Sequence, residues 1–421
     1  MARRILLASL EAGAGHNTLR DSFVGVLRRS DPEHRAFEPV SWTSADSSVQ
    51  RFYELCVHYL TPFQGTVYEL SRQRWAMEVG MWLTPRLQRE ARALLRESRA
   101  DVVLSTHALL TMVLARARAA LGLRVPLVGA VPDYGAQSES YFPRAPGLQP
   151  DYLVVMGEDT LAHYRGEGVS EDRLHLSGFL TREAFARVGL RLRTEPRSSV
   201  RAALRDVVAA EFPSFAALRL DRPTVLFLGG SAWTQKTEPV LRRVLADGAL
   251  RASVNVVVVC GRDAHFQQSL ATAPSGGLHV FGYVSPAVLA ALMGIADVPV
   301  LGSLAPATLQ ELLEVGLGPL LLFHYIPGAE RSHVSYIEAQ RLGVYEPDPP
   351  AMLQLVREAV GVARLSPRVA LAQDRFRDRA RDLRNRSIER AMALPAFLAR
   401  VCGEPARQRP EVATGAAPPL G

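Results

Sequence analysis

Two glycine turns each stand between an apolar, strand-like run and a helix-like run. The first is Gly13-Ala14-Gly15-His16, after Arg4-Ile5-Leu6-Leu7-Ala8-Ser9-Leu10. The second is Gly229-Gly230-Ser231, after Thr224-Val225-Leu226-Phe227-Leu228. A junction of this kind leaves backbone N–H groups free at the positive end of a helix, which suits an anion. The second turn fits a diphosphate, with the Ser231 hydroxyl as a further donor. His16 adds chemistry to the first turn, because a neutral imidazole there can take a proton from a hydroxyl. It can also cap its helix or bind a phosphate. Asp133, directly after Pro132, can orient that imidazole, act as the base itself, or serve as a turn residue. His107, in Ser105-Thr106-His107, is a further hydrogen-bonding candidate.

The elements that position these residues alternate. Strands are expected at 4–10, 35–41, 101–106, 125–131, 151–156 and 173–178, with a long helix-like stretch over 45–97. The pattern returns at 223–229, 253–260, 278–282, 297–301 and 318–323, separated by helical stretches such as 285–295, 307–316 and 332–342. Alternation of this kind predicts parallel, doubly wound sheets, which bind ligands beyond the carboxyl ends of their strands. We expect an α/β protein of two facing Rossmann-like domains. The first covers 1–195 and is completed by an Arg-rich helix over 366–400. A linker follows over 196–221, within an arginine-rich region of few strand signals, then a second domain over 222–365 and a disordered tail over 403–421 rich in Pro, Ala and Gly.

Bulk properties bound the function. At 421 residues the chain has room for such domains, and 48% hydrophobic with 22% charged residues is ordinary for a globular protein. No apolar run reaches ~18 residues, so no membrane-spanning helix is expected. Met1-Ala2-Arg3-Arg4 imitates a signal peptide, but the apolar stretch after it is short and runs into Glu11, so a cytoplasmic location is expected. Cys56, Cys260 and Cys402 have neither metal-ligand spacing nor a disulfide framework. The net charge is +7, and Lys236 is the only lysine. That arginine excess fits either a GC-rich genome or phosphate-bearing or anionic-lipid partners. No basic run interleaved with aromatics points to nucleic acid.

In order and spacing the chain resembles the GT-B glycosyltransferases of the monogalactosyldiacylglycerol synthase and processive diacylglycerol glucosyltransferase group. The peptidoglycan lipid-precursor N-acetylglucosaminyltransferase is a more distant likeness. The resemblance covers about 1–365. Its carriers are Gly13-Ala14-Gly15-His16, Ala100-Asp101-Val102-Val103-Leu104-Ser105-Thr106-His107, Val131-Pro132-Asp133, Gly229-Gly230-Ser231, Phe281-Gly282-Tyr283, Pro306-Ala307-Thr308-Leu309-Gln310-Glu311, and the run from Gly328 to Ile337. Two places depart from the family pattern: its "KAGPGT" reads Ser303-Leu304-Ala305-Pro306-Ala307-Thr308, and the asparagine of its "EAGN" is His333.

The resemblance implies an inverting, metal-independent transfer of a sugar from a nucleotide-sugar, expected to be a UDP-sugar, to a hydroxyl of a lipid or lipid-linked acceptor. No resident cofactor or metal is implied, and no Asp-x-Asp triplet occurs. His16 and Asp133 would be catalytic, with Gly13, Gly15 and His107 on the acceptor side. Gly230, Ser231, Phe281, Tyr283, Thr308, Glu311 and Glu330 would hold the donor, with Glu311 accepting from ribose hydroxyls and Glu330 from the sugar. Arg262 or Arg331 could help to stabilise the leaving diphosphate. Aromatics and arginines mingle over 51–97, from Phe52 and Tyr53 to Trp82 and Arg86, which suits either core packing or an anionic membrane surface on the inner face of the plasma membrane. The alternatives are a nucleotide-sugar epimerase or hydrolase on the same scaffold, and a non-catalytic nucleotide-sugar-binding protein. An NAD dehydrogenase using the first glycine turn and Glu38 is disfavoured, because Thr18 stands where the third glycine of that fingerprint belongs.

Overall fold

A computed structural model describes residues 2–10, 14–33, 35–46, 48, 51, 74–135, 141–143, 145, 147–178, 180–230, 234–271, 276–327 and 330–403. Among these residues twelve strands lie in two parallel sheets of six. The first sheet holds β1 (Arg3–Ser9), β2 (Phe37–Thr43), β3 (Val102–Ser105), β4 (Leu127–Val131), β5 (Tyr152–Val155) and β6 (Leu174–Leu176), in the order β2-β1-β3-β4-β5-β6. The second holds β7 (Thr224–Leu228), β8 (Asn255–Val259), β9 (Leu278–Phe281), β10 (Val298–Leu301), β11 (Leu320–Leu322) and β12 (Gly343–Tyr345), in the order β12-β11-β10-β7-β8-β9. Strand β12 was not expected from the sequence.

The central strands are continuous apolar runs because both their faces are covered, as parallel sheets require. Leu6 and Ile5 on β1, or Val256 and Val257 on β8, point to opposite sides of a sheet and are all buried. Helices of the first half are α1 (Ala14–Ser30), α2 (Arg74–Trp82), α3 (Pro85–Glu97), α4 (Ala108–Ala120) and α5 (Glu158–Gly166). Then come α6 (Glu183–Thr194) and α7 (Arg197–Glu211). The second half adds α8 (Glu238–Ala246), α9 (Gly248–Ser253), α10 (Ala264–Ala271), α11 (Pro286–Ile295), α12 (Pro306–Val315), α13 (Arg331–Ala339) and α14 (Pro349–Ala359), and α15 (Pro367–Gly403) closes the described chain.

The arginine-rich stretch assigned above to a linker is helical and serves the second half. Val200, Leu204 and Val208 of α7 recur every four residues and are buried in one core with Leu292 and Ile295 of α11. Helix α6 joins the same core through Phe185 and Val188. Gly294 permits this approach: a Cβ there would lie 2.8 Å from Leu204 Cδ1 and 2.9 Å from Val188 Cγ1. At the base of β7, Asp297 accepts from the Thr224 N–H at 2.9 Å and pairs with Arg201, so the α7 arginines anchor the helix rather than loosen it.

Helix α15 ties the halves together. Val369 and Ala372 lie in a core with β8 and β10, Phe376 and Ala380 in the core under α12, and Leu394, Phe397, Leu398 and Val401 among β1, β3 and β5 of the first sheet. Among the described residues no helix is long and apolar enough to cross a membrane. Residues 404–421, which include most of the expected tail, and 52–73 lie outside the described residues.

Candidate active site

In each sheet the strand order reverses at one place, between β1 and β3 in the first and between β7 and β10 in the second. Neighbouring connections leave a switch point in opposite directions, which opens a crevice at the carboxyl ends of its strands. Several of the residues singled out above lie at these two crevices.

In the first crevice, α1 starts after β1 and brings His16 against the end of β3. His16 Nδ1 is 2.6 Å from the Thr106 carbonyl, and Thr106 Oγ1 donates to the His16 carbonyl at 3.1 Å. A carbonyl only accepts, so Nδ1 carries the hydrogen and Nε2 keeps a lone pair. Burial pulls the His16 pKa below the ordinary histidine value, opposed by the charge of Asp133 and by the Thr106 carbonyl. At neutral pH His16 is therefore an uncharged imidazole with Nε2 as its acceptor, the form a general base needs.

His107 lies edge-on to His16, with ring centroids 4.5 Å apart. It caps α4: its Nδ1 accepts from the Leu109 N–H at 3.2 Å. Burial first, and His16 second, hold its pKa well below the usual value. The structure thus gives His107 a helix-capping role, and Nε2 carries its hydrogen. Gly15 is in the first turn of α1; Gly13 lies outside the described residues.

In the second crevice, Gly230 follows β7 with φ +67°, a conformation open to glycine at little cost. Its Cα faces the end of β10, where a Cβ would lie 3.6 Å from Ser303 Oγ. Ser303 Oγ donates to Glu330 Oε1 at 2.9 Å, and the Ile326 N–H donates to Oε2 at 2.7 Å. Glu330 is buried, which raises its pKa, while His333 and these donors favour its charged form. Thr308 sits half-buried in the first turn of α12, a helix whose N-cap, Ala305, offers no side-chain partner. Ser231 lies outside the described residues.

Three donor-side residues have partners that the sequence does not show. Glu311 is 3% exposed, and both its oxygens are taken by Arg182, with Nε–Oε1 at 2.6 Å and Nη2–Oε2 at 3.0 Å. A ribose can meet that carboxylate only if the guanidinium gives way. The Phe281 side chain is core, and its carbonyl accepts from the Cys260 N–H at 2.7 Å, which leaves that backbone edge to the sheet. Tyr283 stands out at the rim with the Arg262 guanidinium 5.5 Å above its ring.

Asp133 and Tyr134 are the point where the two crevices meet. Tyr134 follows β4 of the first sheet, yet it is buried in the second half's core, stacked on Tyr336 of α13 at 4.6 Å. Asp133 Oδ1 lies 3.5 Å from His333 Nε2 of α13. The structure therefore brings together His16, Asp133, His333, Glu330 and Gly230. Sequence reasoning singled out neither Tyr134 nor Arg182, and read His333 only as a departure from a pattern. The 310 Å³ cavity at the junction of α1, α6, α12 and α15 is separate from this cluster, and two of its four arginines, Arg193 and Arg384, face Glu314. Among the described residues no group of three or more His, Cys, Asp or Glu is placed to hold a metal ion.

Two parallel sheets of six strands, apposed through their switch points and laced by a shared C-terminal helix, define a GT-B fold. Solved structures agree with it. The glycotransferase of kitacinnamycin matches with a TM-score of 0.56 at 15% identity, covering 96% of this chain and 100% of that one. The calicheamicin glycosyltransferase matches at 0.55 and 16%, covering 95% and 99%. The UDP-GlcNAc 2-epimerase of Neisseria meningitidis, bound to UDP-GlcNAc, matches at 0.55 and 10%, covering 92% and 100%. In sequence, the chain is similar to two Arabidopsis thaliana proteins. Monogalactosyldiacylglycerol synthase 1, chloroplastic, is 20% identical over 373 residues, and monogalactosyldiacylglycerol synthase 2, chloroplastic, 23% over 371. The chain spans 65% and 73% of their lengths, and 86% and 85% of it is covered. No family profile matches.

Proposed function

We propose that this protein transfers a sugar from a nucleotide-sugar, a UDP-sugar by preference, to a hydroxyl of a lipid or lipid-linked acceptor, with inversion and without a metal. The observation that carries the reading is His16, neutral, with Nδ1 fixed on the Thr106 carbonyl and Nε2 left as acceptor. The acceptor hydroxyl gives its proton to Nε2 while its oxygen attacks the anomeric carbon. The bond from that carbon to the diphosphate oxygen breaks, and the nucleoside diphosphate leaves. Backbone N–H groups at the Gly230 turn and the uncapped first turn of α12 face the developing negative charge. A shift of Arg182 frees Glu311 for the ribose, and Glu330 supports the sugar side through Ser303.

The acceptor side favours a lipid surface. Helix α2 and the residue after it expose Trp75, Val79, Trp82 and Leu83, which fall on one helical face, with Trp82 77% exposed. The similarity to the two galactolipid synthases points the same way. On this reading the protein works peripherally on an anionic cytoplasmic membrane face.

The test is nucleoside diphosphate release from UDP-sugars with diacylglycerol vesicles as acceptor, in chelator, with the product's anomeric configuration read by NMR. His16→Ala should lower turnover by a factor of roughly 10²–10⁴ and leave nucleotide binding intact. Full turnover in that variant would remove His16 from the reaction. Conversion of the UDP-sugar to its epimer with no acceptor present would favour the epimerase reading that the third structural neighbour represents.

A further inference from the structure

The loop after β4 does more than join two elements of the first half. Gly135 has φ +75°, and a Cβ on it would come within 2.9 Å of Ser332 Cβ, so the loop lies directly against α13. Tyr134 is fully buried there, stacked on Tyr336 and edge-on to the His333 ring, with centroids 5.4 Å apart. These contacts fix Asp133 opposite one particular side chain of the second half.

That side chain is His333, 1% exposed. Its Nδ1 is 2.8 Å from the Leu304 carbonyl, so Nδ1–H is the donor. Its Nε2 makes no hydrogen bond of good geometry among the described residues and is aimed at Asp133 Oδ1, 3.5 Å away. The charged groups facing the ring are all acidic. They are Asp133 from the first half, Glu330 at the start of α13, and Asp159 from the first turn of α5. Tyr134 adds its ring. Burial by itself lowers the His333 pKa, but Asp133, Glu330 and the Leu304 carbonyl outweigh it, and the net direction is upward. Asp133 also acts on His16 from the other side, raising its affinity for a proton. One carboxylate therefore acts on two imidazoles, and at His333 both ring nitrogens face acceptors, Nδ1 the Leu304 carbonyl and Nε2 the Asp133 carboxylate, the arrangement that suits a doubly protonated ring.

We infer that His333 is a positioning residue: through an ion pair spanning the two halves it holds Asp133 and offsets that carboxylate's pull on His16, so that the base is ready when the halves are seated together. The inference rests on the reading of His16 as base and adds to it a partner from the other half. Loss of the His333 charge leaves Asp133 uncompensated, and an uncompensated carboxylate favours the imidazolium form of His16. The base is then blocked at a higher pH than before.

The experiment uses the whole chain and compares wild type with His333→Asn, His333→Gln, Asp133→Asn and the double variant Asp133→Asn/His333→Asn. Selective ¹³C labelling of the ten histidines lets the His16 ring be titrated by NMR with no substrate present. Expected are an upward move of the His16 titration in both His333 variants, an upward move of the acid limb of kcat/KM, and a loss in kcat of roughly 10- to 100-fold, as for a misplaced catalytic group. In the Asp133→Asn background, His333→Asn should move neither titration nor limb. A His16 titration unchanged by both His333 substitutions, in folded protein, overturns the inference. A moved titration with no sugar transfer in any variant keeps the coupling and overturns only the proposed reaction.

Discussion

The two crevices share an architecture and differ in how they hold charge. In the first, the reactive candidates are imidazoles made neutral by burial and fixed by main-chain groups: His16 on a carbonyl, His107 under an N–H. A neutral ring needs no counter-ion. In the second, the candidates are carboxylates, and a buried carboxylate must be paired or hydrogen-bonded. Glu311 is taken by Arg182 and Glu330 by Ser303 and the Ile326 N–H. The candidate residues there are partly committed to holding their own surroundings. On the proposed reading the first crevice can transfer a proton as it stands, whereas the second exchanges an internal partner for a ligand.

The sharpest way to break this comparison is at Arg182. Arg182→Met leaves the Glu311 charge buried and alone, and should destabilise the protein by about 3–5 kcal/mol at neutral pH, read by urea unfolding. Adding Glu311→Leu removes the stranded charge and should recover most of that loss. The recovered double variant then separates two roles of Glu311. Weaker binding of a nucleoside diphosphate, by calorimetry, means the carboxylate changes partners when ligand arrives. Unchanged binding means it is a structural strut and the two crevices differ even more than their geometry shows.

A smaller effect tests the first crevice. His107→Ala removes the α4 cap and should cost about 0.5–2 kcal/mol, with transfer reduced far less than by His16→Ala. The pH dependence carries a sign. The folded-state pKa of His107 is depressed, so the unfolded chain binds the extra proton more readily. Its contribution to stability is present above the unfolded value of about 6.5 and is lost as pH falls below it. His333, with a raised folded-state pKa, runs the other way: its contribution is present below that value and lost as pH rises through the folded pKa. Thermal unfolding from pH 5 to 8 should therefore show a shallower acid-side loss in His107→Ala and a shallower alkaline-side loss in His333→Asn. Parallel curves for all three proteins would mean that neither histidine changes protonation on unfolding.

How far the sequence reveals this depends on the range over which each signal acts. The sheets were legible because a buried parallel strand is a short, continuous apolar run, as in Val256–Val259. Strand β12 was not, since Gly343-Val344-Tyr345 is too short to show a period and is strand only by pairing with β11. Helix α7 was obscured by its arginines, although its stripe of Val200, Leu204 and Val208 has helical spacing. In the site, His16 was legible because a glycine turn is local chemistry. The Arg182–Glu311 pair spans 129 residues and leaves no local trace. Tyr134 reads as an ordinary turn neighbour of Pro132 and Asp133, and only the apposition of the halves makes it core.

The smallest predicted effect concerns the outer surface of the first half. Exposed apolar side chains are common singly, but Trp75, Val79, Trp82 and Leu83 share one face of α2 and its C-terminal end. The second half exposes no comparable tryptophan face among its described residues, so on the proposed reading the first half alone meets the membrane. Indole rings favour the headgroup level, and the net charge of +7 adds a long-range pull toward anionic lipid that salt screens. Flotation with vesicles containing phosphatidylglycerol should show binding at low salt that weakens at high salt. Trp75→Ser/Trp82→Ser should weaken it several-fold at every salt concentration and leave the slope with salt unchanged, because the arginines remain. If the double variant instead binds as well as wild type and only salt matters, the attraction is electrostatic and diffuse. The lipid acceptor would then have to be reached by a face other than α2.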